Sequence, residues 1–169
     1  MNTLSSNLFL DLRYTPSRMV STWERSSMLS NFCSTLFFSD VQTKNFISTI
    51  LNDLIELSVK YGSEKDCDYG LRLNQSKTGE LMITMDLLLT QQKGVLFSRF
   101  LKTSKLKHLS LVLKEALYSD YSDLMIFLWM LLVFGARVSV KRNALNLNKS
   151  TNSVKTMINI AINLEENVS

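Results

Sequence analysis

The 169-residue chain is 46% hydrophobic and 20% charged, with a net charge of +4. That balance excludes a disordered polar segment, and the length suffices for one domain with a sizeable core. Five glycines and one proline leave no material for a flexible or proline-rich linker, so a single domain over 1–169 is expected, with the strand and helical segment of 1–38 as part of it.

The basic charge is dispersed. Its densest stretch is Arg99, Lys102, Lys105, Lys107 and His108. No aromatic stacking platform alternates with these cations, so single-strand nucleic-acid binding is a weak reading of them. His108 is the one histidine and has no acidic neighbour, which excludes an obvious Ser/His/Asp or Cys/His nucleophile set. Two cysteines do not make a disulfide scaffold or a metal site. Cys33, in an apolar run, reads as core. Cys67, between Asp66 and Asp68, reads as exposed or half-exposed, with Lys65 nearby to favour a slightly reactive thiol.

The N-terminal MNTLSSNLFLDLR lacks the basic start, apolar centre and cleavage site of a secretory leader. A cytoplasmic protein is therefore expected. Leu8 to Tyr14 alternates as a half-buried strand and Pro16 ends it. From Ser17 to Phe38 the apolar residues Met19, Val20, Trp23, Met28, Leu29, Phe32, Leu36 and Phe37 suit one or two helices with one face packed inward. The aromatic and methionine content of Trp23 to Phe38 also suits a dimer or partner interface.

Ser39 or Asp40 offers an N-cap for a long amphipathic helix that stops at Gly62. Its core stripe is expected to be Phe46, Ile47, Ile50, Leu51, Leu54 and Ser58. Asp53, Leu57 and Lys60 lie on an adjacent stripe. Asp68–Asn74 and Glu80–Leu88 read as a hairpin joined by Gln75–Gly79. Two modest helices, 91–103 and 107–117, follow. The apolar window Leu124–Ala136 has 13 residues, short of the ~20 that span a bilayer, and reads as a buried helix rather than a membrane segment. Arg137–Lys141 is a strand, Asn143–Asn152 a polar surface turn, and Val154–Leu164 the last strand, with a register irregularity near Thr156. The order implies an α/β (α+β) two-layer sandwich, with helices on one face of a mostly antiparallel mixed sheet.

Three stretches carry a family resemblance: TWERSSMLSNF (22–32), the helix ending Lys60-Tyr61-Gly62, and LMIFLWMLLVFGARVSVKRN (124–143). Together they resemble the histidine-kinase-like ATPases (the GHKL or Bergerat fold), closest to small stand-alone bacterial regulators of the SiaB-like group related to anti-sigma-factor kinases. The resemblance implies a nucleotide pocket at Asp53, Lys60 and Asp86. It also implies partners of the STAS-domain or response-regulator kind.

The chain departs from the family at each part of that pocket. The helix position that holds Mg²⁺ through an Asn is Leu57, which has no oxygen donor. The family's Asp-x-Gly-x-Gly loop reads Asp86-Leu87-Leu88-Leu89-Thr90. Its second glycine-rich segment reads Tyr118-Ser119-Asp120-Tyr121-Ser122-Asp123, whose two carboxylates repel phosphate. The expected function is a non-catalytic signalling regulator that binds proteins, with a homodimer as a candidate assembly and a vestigial nucleotide pocket for which ATP and Mg²⁺ are disfavoured cofactors. An active ATP-dependent serine kinase is the second reading, and a weak nucleic-acid binder through 99–108 the third.

Overall fold

The computed structural model describes residues 8–20, 23–76, 78–95, 98, 127, 130–131, 135–148 and 152–164. Within them the elements run β1 (Leu8–Tyr14), α1 (Pro16–Val20), α2 (Trp23–Phe37), α3 (Val41–Tyr61), β2 (Tyr69–Gln75), β3 (Glu80–Thr90), β4 (Arg137–Asn148) and β5 (Ser153–Asn163). The strands form one sheet in the order β1-β2-β3-β5-β4, and every neighbouring pair is antiparallel. This is the expected two-layer architecture, with helix α3 laid against one face of the sheet.

Alternation along the strands decides which face is covered. Leu81, Ile83, Met85, Leu87 and Leu89 of β3 are all buried, whereas the residues between them are half-buried. Cross-strand pairing extends the same apolar rows: Leu12, Leu71, Met85 and Ile158 sit in successive register, as do Leu10, Leu73, Ile83 and Ile160. Ile47, Ile50, Leu51, Leu54 and Ile55 of α3 join this core. Each fully buried aliphatic side chain contributes roughly 1.5–3 kcal/mol, so the α3–sheet layer dominates stability.

Local chemistry sets the boundaries. Pro16 opens α1, where its fixed φ suits the first helical turn. Asp40 caps α3 by accepting from the backbone N–H of Gln42 and Thr43. At the other end Gly62 donates its N–H to the Ser58 carbonyl with φ −56°. Its backbone is therefore ordinary. Glycine is needed because a Cβ there would strike the Tyr69 ring and the Ser58 carbonyl oxygen. Gly135 is the opposite case. Its φ of 71° is left-handed, and Ala136 N–H reaches back to the Leu131 carbonyl at 2.8 Å, closing a Schellman motif. Phe127 and Leu131, from the expected apolar helix, are buried helical residues and Met130 is half-buried beside them; 124–126, 128–129 and 132–134 lie outside the described residues, as does 99–123.

Two expectations need correction. Strand β3 continues to Thr90, two residues past its expected end, and the Asp86–Thr90 stretch that the resemblance gives as a loop is strand. Strand β4 runs on to Asn148 through residues read as a polar turn, as an edge strand beside β5, with a register shift between Asn143 and Asn148. That shift falls opposite Lys155–Ser153 of β5, next to Thr156, where an irregularity was expected. Against β3 the strand pairs without a break, and Thr156 is a buried core-face position, its hydroxyl bonded to the Val154 carbonyl.

Candidate functional site

Asp53, Leu57 and Lys60 fall on one stripe of α3, as their spacing requires. Asp53 is half-buried; desolvation, and then the charge of Glu56, push its carboxyl above the ordinary value. Glu56 itself accepts from Asn52 Nδ2 at 2.6 Å. Leu57 is half-buried against the core, where an aliphatic side chain gains by packing. The Lys60 ammonium stands 5.5 Å from the Tyr61 ring centroid.

Lys93, which the sequence did not single out, joins that end of the helix. Its Nζ donates to the Tyr61 carbonyl at 3.0 Å and lies 5.9 Å from the same ring. A cation suits the negative end of a helix. Lys65 is close enough that its pKa is lowered, first by burial and then by repulsion from Lys93. Lys60, Lys65 and Lys93 thus gather at the C-terminal end of α3.

Asp86 does not join Asp53 and Lys60. Tyr14 bonds Ser58 of α3 from the face that also carries Leu71 and Met85, so the next residue after Met85 points to the opposite, open face. There Asp86 accepts from Arg72 Nη2 at 2.7 Å, with Lys155 Nζ at 4.0 Å. Gly70 lies directly opposite across the β2–β3 ladder, and the Asp86 carboxylate rests over its missing side chain: a Cβ on Gly70 would meet Asp86 Oδ2 at 3.4 Å. Arg13, Asn74, Thr84, Asn159 and Lys141 continue this face, with Thr84 bonded to Asn159 at 3.1 Å. Phe9, Met82 and Met157 share the same face, so among the described residues it mixes polar and apolar side chains.

Helix α2 departs from the expectation that its apolar positions pack inward. Met28, Phe32 and Leu36 are 72%, 54% and 49% exposed. Its fully buried positions are Ser26, Ser30, Cys33 and Ser34. The reason lies in α3. Small residues let the two helices approach closely, and Ser26 donates across to Asn52 Oδ1 at 2.8 Å. Ser30 and Ser34 satisfy their hydroxyls on the carbonyls of Ser26 and Asn31. Leu29 and Phe37 keep partial contact with the core. The large apolar side chains that remain are turned to solvent. Helix α2 ends in a groove of about 460 Å³ lined by Phe37, Phe38, Asp40, Gln75, Gly79 and Leu164. That groove lies at the N-terminal end of α3, roughly 15 Å along the helix from Asp53.

Neither cysteine is reactive by environment. Burial pushes the Cys33 thiol up to about 11. Cys67 donates to Glu64, and that bond, with the carboxylates of Glu64, Asp66 and Asp68, raises its pKa. Among the described residues no group of His, Cys, Asp or Glu is arranged to hold a metal ion, and no helix is long and apolar enough to cross a membrane. The Arg99–His108 stretch and the Tyr118–Asp123 segment lie outside the described residues.

No family model matches the sequence, and no curated protein does. Among solved structures, a chain of the crystal structure of the SiaB-SiaC complex from Pseudomonas aeruginosa is similar over 92% of this chain and 91% of that one, with a TM-score of 0.61 and 12% identity. At that identity the two share a fold.

Proposed function

We propose that this protein is a signalling regulator that works by binding other proteins, on a histidine-kinase-like scaffold whose nucleotide chemistry has degenerated. One observation carries this reading: α2 buries its serines and exposes Met28, Phe32 and Leu36. An apolar ridge retained on the surface, beside a core that is already complete without it, is the mark of a docking surface. The likeness to a chain from a two-protein complex supports the same reading. A STAS-domain or response-regulator protein is the circuit partner that the family resemblance brings. Asp53 and Lys60 are the remnant of the nucleotide pocket; Leu57 fills the magnesium position with hydrocarbon, and Asp86 serves the open face.

A photo-crosslinking residue in place of Phe32, in cells expressing the protein, tests the docking surface. A discrete protein adduct is expected. A variant that folds and crosslinks to nothing overturns the reading.

The gathering of Lys60, Lys65 and Lys93 at one end of α3 favours a second reading, an ATP-dependent serine kinase of the anti-sigma-factor type, because three cations suit a phosphate chain. Calorimetric titration with Mg-ATP separates the two. Saturable heat at micromolar nucleotide selects the kinase, and none at millimolar nucleotide removes it.

A further inference from the structure

We propose that the groove between the α2–α3 junction and the β2–β3 hairpin takes an arginine side chain from a partner protein docked along α2. This deepens the proposed function by naming the chemistry the partner brings, and it rests on the reading of α2 as a docking surface.

The groove is built where separate elements converge. Phe37 closes α2, Phe38 and Asp40 form the junction with α3, Gln75 and Gly79 come from the hairpin, and Leu164 follows β5. Its volume of about 460 Å³ falls within the roughly 300–1,000 Å³ of ligand pockets. It lies at the opposite end of α3 from Lys60, so it is separate from the nucleotide remnant. Leu36 and Val41, 49% and 61% exposed, are chain neighbours of its lining residues. The apolar ridge of α2 therefore leads to its mouth.

The lining selects the occupant by charge and shape. The Phe37 and Phe38 ring centroids are 6.1 Å apart with planes tilted by 37°, and both rings are half-buried, as is Leu164. They offer hydrocarbon to the stem of a long side chain and ring faces to a cation. Asp40 is the one charged group among the described lining residues. Its oxygens accept the N–H groups of Gln42 and Thr43 at 3.4 and 2.7 Å. A carboxylate has about four lone-pair sites, so acceptor capacity remains. The helix N-terminus opposes a cation with about half a positive charge, which the full charge of Asp40 exceeds. Glu80 and Arg137, at the same end of the sheet, are paired with each other. Gln75 adds a second side-chain acceptor. Arginine meets all of these features at once. Its stem is apolar, its planar head stacks on rings, and its fork of donors serves two acceptors, whereas the compact, strongly hydrated head of lysine does not stack.

Acetyl-Leu-Arg-amide, titrated to about 20 mM into the isotope-labelled chain and followed by NMR, tests this. Shifts should cluster at the Thr43, Gly79 and Leu164 amides, with a Kd on the order of millimolar for a probe of this size. The same probe with citrulline in place of arginine keeps the shape and loses the charge, and should bind at least about threefold more weakly. Asp40→Asn keeps the helix cap, because Asn caps as well as Asp. It should weaken the arginine probe about three- to fivefold, the effect of an exposed ion pair, and leave the citrulline probe unchanged. Shifts that are absent or avoid those amides overturn the inference. So does equal binding of the two probes, or indifference of the arginine probe to Asp40→Asn.

The Phe32 crosslink separates this failure from failure of the docking surface. Its yield should fall when Asp40→Asn is added. A protein adduct of unchanged yield keeps the docking surface and rejects the arginine contact. No adduct from a folded protein rejects both.

Discussion

Tyr14 and Ser58 share a hydroxyl–hydroxyl hydrogen bond, 2.5 Å long, across the interface between β1 and α3. The pair has two further acceptors in reach, the Ile55 carbonyl 2.6 Å from the Ser58 hydroxyl and Met85 Sδ 3.7 Å from the phenol. Both residues are buried, and desolvation holds the phenol well above its ordinary pKa, outweighing the opposing effect of the Ser58 bond. Replacing Tyr14 by Phe removes one buried hydrogen bond and should cost about 1 kcal/mol at neutral pH. The sign with pH is definite. The unfolded phenol ionises near pH 10 and the folded one only above that, so the stabilisation is complete below about pH 10 and falls as pH rises further. Thermal melts across that range should show the wild type losing stability faster than Tyr14→Phe. Parallel curves would mean that the phenol is not desolvated.

Two glycines end helices for unrelated reasons, and substitutions tell them apart. At Gly62 a new Cβ meets the Tyr69 ring and a carbonyl oxygen, so Gly62→Ala should cost about 1–3 kcal/mol through overpacking, and Gly62→Asn no less. At Gly135 nothing lies within 4 Å of a new Cβ, and the cost is conformational. Gly135→Ala should lose about 1–2 kcal/mol, whereas Gly135→Asn recovers part of it because Asn tolerates the left-handed region. Urea denaturation of the four variants checks this. Rescue by Asn at Gly62 would contradict the steric account.

Sheet and long helix were legible because their burial is periodic. The alternation of LFLDLRY gives β1 with its observed boundaries, and five of the six expected core positions of α3 are buried. Three features were hidden for physical reasons. Ile55, Val59 and Tyr61 extend the core because α3 is covered on more than one stripe, which a narrow amphipathic template does not anticipate. Thr156 looked like a break because its hydroxyl is polar, yet a backbone carbonyl satisfies it inside the core, and the register shift falls beside it in the β4 ladder. Helix α2 was misassigned in facing because periodicity locates an apolar stripe without saying which side a neighbour occupies; the Ser26–Asn52 bond and the small serines decided that. For the candidate pocket, Asp53 and Lys60 fell on one stripe as spacing predicted. Asp86 did not join them, because strand alternation turns it away from Met85 and so away from the face that α3 covers.

The Arg72–Asp86–Lys155 cluster gives the open face its own test. Asp86 keeps a 2.7 Å bond to Arg72, and its other oxygen is buried without a hydrogen-bond donor among the described residues. Asp86→Asn weakens the attraction to two cations that are themselves partly exposed, so about 1 kcal/mol or less is expected. Gly70→Ala should cost a similar amount or less, since its Cβ would make ordinary van der Waals contact with the carboxylate. Neither change should alter calorimetric behaviour toward Mg-ATP, because the cluster lies across the sheet from α3. Nucleotide heat that is present in the wild type and absent from Asp86→Asn would relocate the pocket to the open face.

Asp53 holds its carboxyl at a cost. Desolvation and Glu56 raise its pKa, so the folded state keeps the proton to higher pH than the unfolded state does. Above the raised value the ionised carboxylate therefore destabilises the fold, and below the ordinary carboxylate range the penalty vanishes. Asp53→Asn, nearly the same size and uncharged, should be more stable than the wild type at neutral pH. That advantage should shrink as pH falls through the raised pKa and disappear below about pH 4. Paired urea titrations at neutral and acidic pH measure it, and an advantage that does not depend on pH would rule out ionisation as its source. The same variant weighs the two functional readings. A regulator with a vestigial pocket shows no Mg-ATP heat in either protein, so the stability gain comes without loss. A working kinase shows heat in the wild type that Asp53→Asn abolishes, making the desolvated carboxylate the cost of a site still in use.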